Sequence, residues 1–265
     1  MRKIAIIGGS GVYNPETLQG FKKMTIDTPY GQTECTHGIK DGNEVTFISR
    51  HGVGHTVPPH MINYRANIYA LKKLGVQEIV GTAAVGSLNK DMKAGHFVVC
   101  DQVLDFTKSR INTFFDGNKY PVGHADFTHP YCPSLRKILL QCLGDTDIIF
   151  HETGTMVVTE GPRFETPAEI KMYAQLGGDV VNMTNMPEAI LAREAEMHYA
   201  CIATVTNMAA GISTNMLSHA EVLETMAKTE NLLGNFIDKF IAYNGLLENL
   251  CNCEHTMQEY GGFKL

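Results

Sequence analysis

The chain has 265 residues, 44% of them hydrophobic and 19% charged, and its net charge is −6. These values allow one large domain with a sizeable core. The acidic balance, without long basic runs, excludes the electrostatic footprint of a nucleic-acid or anionic-membrane partner. The first apolar run, at 4–7, is shorter than a signal-peptide core or a membrane span, which predicts a cytoplasmic protein.

Short runs rich in β-branched residues alternate with helical patterns along the chain. The predicted strands are KIAII at 3–7, VTFIS at 45–49, EIVGT at 78–82, FVVCD at 97–101, TMVVT at 155–159, DVVNM at 179–183 and CIATVT at 201–206. The predicted helices cover 59–75, 135–143, 166–178, 187–195 and roughly 218–243. This alternation predicts an α/β fold, a single domain over 1–265 in which helices surround a central mixed, largely parallel β-sheet, with a peripheral tail over about 245–265.

Capping-box patterns mark the start of two predicted helices. In the stretch GPRFETPAE, Thr166 is the expected N-cap, Pro167 the first helical residue and Glu169 the return arm of the box. Ser218 and Glu221 form the second box, before the last helix. The first box fixes a helix start immediately after the dipeptide Phe-Glu.

That dipeptide, Phe164 and Glu165, lies at an element end, where ligands commonly bind. Taken alone, Glu165 is explained as well by a solvated loop carboxylate, and Phe164 by a core side chain. Other chemically rich stretches also follow predicted strands, and they are GGSG at 8–11, SRHG at 49–52, TAAVGS at 82–87, NMTN at 182–185 and TNMAAG at 206–211. Since strand ends meet helix starts at one side of such a sheet, we expect these stretches to converge on one cleft.

Several of these strand ends carry hydrogen-bond donors that suit a phosphate bound directly by protein. GGSG offers consecutive backbone amides and a hydroxyl, although a tight turn explains that stretch equally well. Arg50 and His51 offer side-chain donors, although a structural ion pair is an alternative for them. The predicted phosphate-binding set is Ser10, Arg50, His51, Thr82, Ala83 and Thr184.

Other kinds of site lack their full patterns. GGSG has neither the third glycine of a dinucleotide site nor the lysine of a P-loop, and its serine is one position away from that of a hydrolase elbow. His51 and His55 are four residues apart, but no carboxylate completes a ligand set and the intervening glycines oppose a helix, so no metal site is predicted. The cysteines are expected to be buried thiols, except that Cys251 and Cys253 can form a strained disulfide or a redox-sensitive pair.

The chain resembles the trimeric purine nucleoside phosphorylases and their methylthioadenosine phosphorylase branch, from about residue 4 to about residue 240. The resemblance lies in an ordered set of stretches: GGSG, SRHG, NYRANIYALKKLG, TAAVGSL, TEGPRFET, NMTNMPEAILARE and TNMAAGIS. It implies phosphorolysis, in which a purine nucleoside and inorganic phosphate yield the free base and ribose 1-phosphate. It also implies phosphate as a co-substrate, no metal or organic cofactor, and a homotrimer or a dimer of trimers.

The resemblance assigns roles to individual residues. Within the phosphate set named above, the residues that correspond to the phosphate site of the family are Ser10, Arg50, His51, Ala83 and Thr184. Met183 is expected to pack against the ribose, and Phe164 is expected to contact the substrate. His124, in VGHADF, is similar to a residue that reaches into the site of the neighbouring subunit, so a complete pocket would require the oligomer.

Glu165 and Asn207 are the predicted determinants of base specificity. A 6-oxopurine carries a proton on ring nitrogen 1 and an acceptor oxygen at position 6, whereas adenine presents a bare acceptor nitrogen and a donor amine. Glu165 can accept the first proton, and Asn207 can donate to the oxygen or hydrogen-bond ring nitrogen 7. The methylthioadenosine branch carries aspartates at the positions of Asn207 and Ala209 and lacks the equivalent of Glu165, so adenine specificity is not expected.

His219 is the predicted determinant of the 5′ substituent. It lies in the first turn of the last predicted helix, where the methylthio-specific enzymes tend to carry an apolar residue and the inosine and guanosine enzymes carry a histidine. A histidine can hydrogen-bond a 5′-hydroxyl and is left unpaired by a thioether. An ordinary histidine at a helix start is the alternative.

The resulting prediction is phosphorolysis of inosine and guanosine, with Asn207, Glu165 and His219 as the catalytic candidates. The alternatives within the family are an S-methyl-5′-thioinosine or an S-methyl-5′-thioadenosine phosphorylase. The alternative from another class is a non-catalytic purine-binding protein, which would have no use for the complete phosphate set.

Overall fold

A computed structural model of the chain describes residues 1–9, 17–52, 54–212, 219–245, 247–248 and 250–265. The side chains of His219 and Glu221 are outside this description. Within these ranges, every helix is too short or too polar to span a lipid bilayer.

The strands of the described ranges form one mixed sheet. They are β1 (Lys3–Gly8), β2 (Gln19–Thr28), β3 (Gly31–Lys40), β4 (Asn43–Ser49), β5 (Glu78–Ser87), β6 (Phe97–Val99), β7 (Gln102–Phe106), β8 (Phe150–His151), β9 (Thr155–Thr159), β10 (Val180–Asn182) and β11 (His198–Met208). The main path is β2-β3-β4-β1-β5-β10-β9-β7, while β11 pairs with β5 and β6, and β6 with β8. The antiparallel pairs are β2–β3, β3–β4, β5–β10 and β6–β11, and the others are parallel, so the predicted mixed, largely parallel sheet is confirmed.

Helices cover both faces of this sheet. They are α1 (Tyr64–Lys73), α2 (Pro133–Gly144), α3 (Pro167–Gln175), α4 (Asn185–Glu194) and α5 (His219–Ala242), with short 3-10 turns at Pro59–Met61, Cys253–His255 and Gln258–Tyr260. Because side chains alternate along a strand, Ile4 of β1 packs in the cluster with α2 and α5, and Ala5 packs in the cluster with α1 and α4. The two faces therefore have separate hydrophobic cores.

The predicted start of α3 is confirmed. Thr166 Oγ1 accepts a hydrogen bond from the backbone N–H of Glu169 at 3.2 Å, and the Glu169 carboxylate accepts one from the backbone N–H of Thr166 at 2.7 Å. Pro167 is the first helical residue. The other predicted box depends on Ser218, which lies outside the described residues.

The pairing of β5 leaves a gap at one of its edges. β11 pairs along the whole of one edge of β5. On the other edge, β1 pairs in parallel up to Gly81, and β10 pairs antiparallel at Gly86 and Ser87. Within the described ranges, residues 82–85 therefore have no strand partner on that edge, which leaves a gap between β1 and β10.

Candidate active site

A cavity of about 850 Å³ opens beside this gap in β5. This volume lies within the range of small-molecule sites, roughly 300–1,000 Å³. It is bordered by the ends of β1, β4 and β11, the loop before α3, the segment from β10 to α4, and α5. The cavity brings together most of the predicted site residues, namely Arg50, His51, Thr82, Ala83, Phe164, Glu165, Met183, Thr184 and Asn207.

Arg50, directly after β4, forms a buried ion pair with Glu188. Its Nε and Nη2 each donate to one carboxylate oxygen of Glu188 at 2.7 Å. Nη1 also donates to the Thr82 carbonyl at 3.1 Å, and Nη2 to the Ile7 carbonyl at 3.3 Å. Burial lowers the pKa of Arg50, but the Glu188 carboxylate outweighs that effect and the pKa is raised. One Nη1 hydrogen has no partner among the described residues, so Arg50 can offer a ligand one N–H without breaking the pair.

Glu188 is also held from its other side. Tyr199 Oη donates to Glu188 Oε1 at 2.7 Å, and Asn185 Nδ2 donates to Tyr199 Oη at 3.0 Å. Tyr131 Oη in turn donates to Asn185 Oδ1. Because all of these side chains are buried, the network fixes Arg50 at the cavity wall. Sequence reasoning missed Glu188, since a glutamate in the first turn of a helix is ordinarily explained by the helix dipole.

His51 is buried at the same wall. Its Nδ1 lies 2.8 Å from the Val57 carbonyl oxygen, which can only accept, so Nδ1 carries the proton. Burial lowers the pKa of His51 to about 4, the charge of Arg50 adds to the decrease, and the ring is neutral at pH 7. The ring stacks on that of His55, with 4.1 Å between the centroids. Nε2 is then an acceptor, so His51 donates from this atom to a ligand only when the ring becomes protonated.

The lowered pKa of His51 predicts a loss of stability in acid. Above pH 6.5 the ring is neutral in both folded and unfolded chains, and its contribution is complete. Between pH 6.5 and about 4 the unfolded chain binds a proton and the folded chain does not, so the free energy of unfolding falls as the pH falls. His51→Gln should therefore lose less stability than the wild type between pH 7 and pH 4.5 in urea titrations. The exposed-site control His129→Gln should follow the wild type, and equal losses in all three proteins would contradict the prediction.

Thr82 and Thr184 supply hydroxyl groups close to Arg50 and His51. Thr82 Oγ1 is buried and has no hydrogen-bond partner among the described residues. Such a group costs about 1–3 kcal/mol, which a ligand bound to it can recover. Thr184 is the N-cap residue of α4, but its side chain makes no capping bond. Asn182 Oδ1 instead accepts from the backbone N–H groups of Thr184 at 2.7 Å and of Asn185 at 2.8 Å, so the Thr184 hydroxyl is not needed to cap the helix. This hydroxyl donates to the same oxygen at 3.3 Å and can rotate to donate to a ligand instead.

Glu165 and Phe164 form another part of the cavity wall. Glu165 Oε1 accepts a hydrogen bond from Thr159 Oγ1 at 2.6 Å, which orients the carboxylate. Oε2 has no hydrogen-bond partner within the described ranges. Phe164 is 40% exposed and borders the cavity, so it is not a core side chain. The carboxylate therefore has one fixed oxygen and one available to a ligand.

Met183 also borders the cavity, and its side chain packs closely against Gly161 in the loop before α3. Gly161 has a φ of +64°, and an added Cβ would lie 2.6 Å from Met183 Sδ. Both the backbone conformation and the close approach therefore favour glycine at position 161.

Asn207 lies near the end of β11 and is buried. Its Oδ1 accepts from Thr206 Oγ1 at 2.8 Å, and its Nδ2 donates to the Met208 carbonyl at 3.0 Å. A register shift between Val205 and Asn207 places Asn207 opposite Gly86 of β5. Such irregularities redirect side chains near active sites. The second Nδ2 hydrogen remains for a ligand.

α5 borders the cavity with apolar side chains, which the sequence analysis did not assign to the site. They are Val222, Leu223, Met226 and Leu233. Their spacing is that of one helix face, which the sequence shows but which a core helix explains equally well.

Three predicted site residues are not placed in this cavity. Ser10 lies outside the described residues. His219 is the first residue of α5, but its side chain is not described. His124 is exposed on the long connection between β7 and α2 and does not border the cavity of the single chain.

Known proteins are similar to this chain over nearly its whole length. A protein of Thermococcus kodakarensis named "Probable 6-oxopurine nucleoside phosphorylase" is 52% identical over 97% of this chain and 98% of its own length. A protein of Methanocaldococcus jannaschii named "Probable S-methyl-5′-thioinosine phosphorylase" is 48% identical, over 96% and 98% respectively. The crystal structure of a methylthioadenosine phosphorylase from an Antarctic soil metagenomic library matches with a TM-score of 0.89 and 36% identity, over 98% of this chain and 92% of its own.

A family model described as "Phosphorylase superfamily" matches residues 3–242. The match spans every strand and helix that borders the cavity. The chain is therefore an enzyme of the phosphorylase superfamily.

Proposed function

We propose that this enzyme is a purine nucleoside phosphorylase that acts on 6-oxopurine nucleosides, inosine and guanosine, with inorganic phosphate as co-substrate. One observation carries the proposal: Glu165 and Asn207 border the same cavity as His51, Thr82 and Thr184. A carboxylate and an amide suit the edge of a 6-oxopurine, and the hydroxyl-bearing wall suits a phosphate.

The distance between the proposed phosphate-binding wall and the proposed base-binding residues leaves room for a pentose. Arg50 bonds to the carbonyl of Thr82, and Asn207 lies opposite Gly86 on the same strand. Four residues of β-strand span about 13 Å. A phosphate, a ribose and a purine in succession occupy a comparable length, with the ribose beside Met183.

The reaction determines what each group must do. A phosphate oxygen forms a bond to C1′ of the ribose while the bond from C1′ to the purine nitrogen breaks, and the purine leaves with the electron pair of that bond. Positive charge develops on the ribose and negative charge on the purine. The phosphate anion, held next to the ribose, stabilises the positive charge. A hydrogen bond donated by Asn207 to ring nitrogen 7 or oxygen 6 stabilises the negative charge on the purine. The hydrogen phosphate ion gives up its proton on forming the ester with C1′, and the purine takes up one proton and leaves as the free base.

Glu165 accounts for selection of the base. Its Oε2 can accept the proton on ring nitrogen 1 of a 6-oxopurine, whereas adenine places an acceptor against it. An unpaired buried group costs about 1–3 kcal/mol, and discrimination at polar edges reaches roughly 10⁴–10⁵-fold. The names of both relatives above specify a 6-oxopurine base, which supports this part of the proposal.

The 5′ substituent admits a second candidate function. A histidine at position 219 favours a 5′-hydroxyl, because it can hydrogen-bond that group. The apolar side chains of Val222, Leu223 and Met226 at the cavity favour a methylthio group instead. The name of the Methanocaldococcus relative specifies a 5′-methylthio group, whereas the name of the Thermococcus relative specifies the base alone. S-Methyl-5′-thioinosine is therefore the second candidate substrate.

The proposal includes assembly as a homotrimer or a dimer of trimers in the cytoplasm. Exposed His124 supports the assembly, since a side chain on this outer connection can reach the site of a neighbouring subunit. The proposal also includes catalysis without an organic cofactor or metal at the site, because the phosphate itself is the nucleophile and the chain supplies the donors.

Purine release from inosine, adenosine and their two 5′-methylthio analogues, each with and without phosphate, tests the function. Phosphate-dependent release from inosine supports the full proposal. Faster release from methylthioinosine would select the second candidate, and release from adenosine or methylthioadenosine would overturn the roles of Glu165 and Asn207. Binding of hypoxanthine without any phosphate-dependent turnover would identify a non-catalytic purine-binding protein.

His219→Val should lower the preference for inosine over methylthioinosine. The substitution removes the hydrogen bond to a 5′-hydroxyl, which is worth about 0.5–1.5 kcal/mol, so we expect the ratio of the two kcat/KM values to fall roughly two- to tenfold. Ala220→Val, on the exposed adjacent position of α5, is the matched control and should leave the ratio unchanged. An unchanged ratio in His219→Val would refute its role in the 5′ pocket.

A further inference from the structure

Three cysteines and one histidine form a cluster away from the cavity. The ligand atoms of Cys132, His198, Cys251 and Cys253 all lie within 4.8 Å of one another. Cys251 is half-buried and the other three are buried. They come from the N-cap of α2, the first residue of β11 and the C-terminal tail, so the fold brings them together from three distant parts of the chain.

The distances in this cluster are close to those of a tetrahedral zinc site. The Nδ1 atom of His198 lies 3.4 Å from Cys132 Sγ and 3.5 Å from Cys251 Sγ. With zinc–sulfur bonds of about 2.3 Å and zinc–nitrogen bonds of about 2.0–2.1 Å, a tetrahedron has sulfur–nitrogen edges of about 3.6 Å and sulfur–sulfur edges of about 3.8 Å. Even the widest separation within the cluster needs to contract by only about 1 Å to meet this geometry.

The histidine ring is oriented as a metal ligand requires. Nδ1 faces two of the sulfur atoms, while Nε2 lies 3.3 Å from Glu254 Oε1. A carboxylate on the far nitrogen holds the proton there and leaves the near nitrogen free to bind a metal ion. Glu254 directly follows Cys253, so one segment of the tail supplies both a ligand and this supporting contact.

Each sulfur atom also lies next to a hydrogen-bond donor that can stabilise a thiolate. Arg193 Nη1 donates to Cys253 Sγ at 3.0 Å, Ser134 Oγ donates to Cys251 Sγ at 3.4 Å, and the N–H of Leu135 donates to Cys132 Sγ at 3.4 Å. Three thiolates around one divalent cation leave a net charge of −1. The guanidinium of Arg193 balances that charge in a buried place, where an unbalanced charge is costly.

We propose that Cys132, His198, Cys251 and Cys253 bind one structural Zn²⁺. Three thiolates and one imidazole in a tetrahedral arrangement are a ligand set that suits zinc, and four protein ligands leave no position for a reacting water. Binding releases the protons of the three thiols. The ion is separate from the phosphorolysis site, since none of its ligands borders the cavity.

The ion ties the C-terminal tail to the body of the domain. The tail already has other attachments, because the backbone N–H groups of Met257 and Phe263 donate to the carboxylate of Glu196 at 3.2 and 3.1 Å. The side chains of Met257 and Phe263 are buried in the core cluster that contains residues of α1 and α4. The zinc ion adds a clip to α2 and β11 at the start of this segment.

Cobalt titration of the full-length chain, reduced and first stripped of bound metal with a chelator, tests the proposal, since tetrahedral Co²⁺ bound by thiolates shows intense visible bands and thiolate charge-transfer absorption. We expect about one equivalent to bind in the wild type and in Cys142→Ser. Cys142 lies on α2 within the apolar core and is the matched control. Cys253→Ser should lose the charge-transfer bands. Cys132→Ser should lose them as well, although it keeps an acceptor for the helix N-cap.

Two companion measurements extend the test to the protein as purified. Elemental analysis should give about one zinc per chain in the wild type and near zero in Cys253→Ser. A chelator should lower the Tm of the wild type and leave that of Cys253→Ser unchanged. Absence of the cobalt bands in the reduced, metal-free wild type, or their persistence in Cys253→Ser, overturns the proposal. A Cys251–Cys253 disulfide in place of zinc in the purified chain overturns it too, and no outcome depends on enzymatic activity.

Discussion

Replacement of Glu165 by glutamine should reduce kcat/KM for inosine by more than tenfold. In the proposed base contact the carboxylate accepts a hydrogen bond from the N–H at ring nitrogen 1, and an amide replaces this charge-assisted bond with a weaker neutral one. Hydrogen bonds to charged groups contribute about 1.5–3 kcal/mol, which corresponds to a roughly 10- to 150-fold loss. Adenosine should not become a substrate, because the remaining N–H of Asn207 Nδ2 suits an acceptor oxygen at position 6 and would face the donor amine that adenine carries there.

Thr159 provides a second test of the same contact. Its hydroxyl donates to Glu165 Oε1 at 2.6 Å and lies at the end of β9, so it acts as a positioning residue for the carboxylate. Thr159→Val should lower kcat/KM for inosine in the wild type. In the Glu165→Gln background it should have little further effect, because the group that it positions is already altered.

A matched control separates the contact from a change of net charge. Glu152→Gln removes the same charge at an exposed position and should leave the kinetics with inosine unchanged. Unaltered kinetics in Glu165→Gln, or a full additive loss in the double variant with Thr159→Val, would sink the proposed base contact.

The sequence predicted the buried strands and the main helices because their patterns are local. Residues 4–7 of β1 are apolar and fully buried, as a strand covered on both faces requires. The sequence missed the hairpin of β2 and β3, since β2 is mostly exposed and its polar composition resembles a loop. It also joined FVVCD into one strand, whereas β6 ends at Val99 and β7 begins at Gln102 on a different part of the sheet.

The site was predictable only where each residue has its own local signal. Glu165 stands beside a capping box, and Asn207 follows a strand that ends in a glycine-containing turn. Glu188 had no such signal, because its role comes from an ion pair with a residue 138 positions away. The sequence left open a structural ion pair for Arg50, and that pair is present. Because Nε and Nη2 of the guanidinium donate to Glu188, they cannot form a bidentate contact with a phosphate.

The cluster of cysteines and a histidine was even harder to predict, because its members are far apart in the sequence. The sequence drew attention to Cys251 and Cys253 by their spacing but offered no third ligand. Cys132 and His198 come within reach only because α2 and β11 start side by side, where the Cys132 N–H donates to the Tyr199 carbonyl at 2.7 Å. A site assembled from three separate segments has no compact sequence pattern.

Replacement of Glu188 by leucine should be the most destabilising substitution near the site. It leaves the Arg50 guanidinium buried without its counter-charge and removes the acceptor of Tyr199 Oη. Loss of one partner from a buried ion pair costs about 3–5 kcal/mol. The free energy of unfolding, measured in urea, should fall by about that amount, and the KM for phosphate should rise because Arg50 is no longer fixed at the wall.

The double variant Arg50→Met with Glu188→Leu separates stability from catalysis. Apolar side chains of similar volume often replace a buried ion pair with little loss of stability, so the double variant should recover most of the unfolding free energy lost in Glu188→Leu. It should not recover phosphate affinity, since it lacks the remaining N–H that Arg50 offers to the cavity.

The exposed pair of Glu224 and Lys228 provides the control, and Glu224→Gln should change neither property. Recovery of phosphate affinity in the double variant would assign Arg50 a purely structural role, and a stable Glu188→Leu single variant would show that the pair does not hold this wall together.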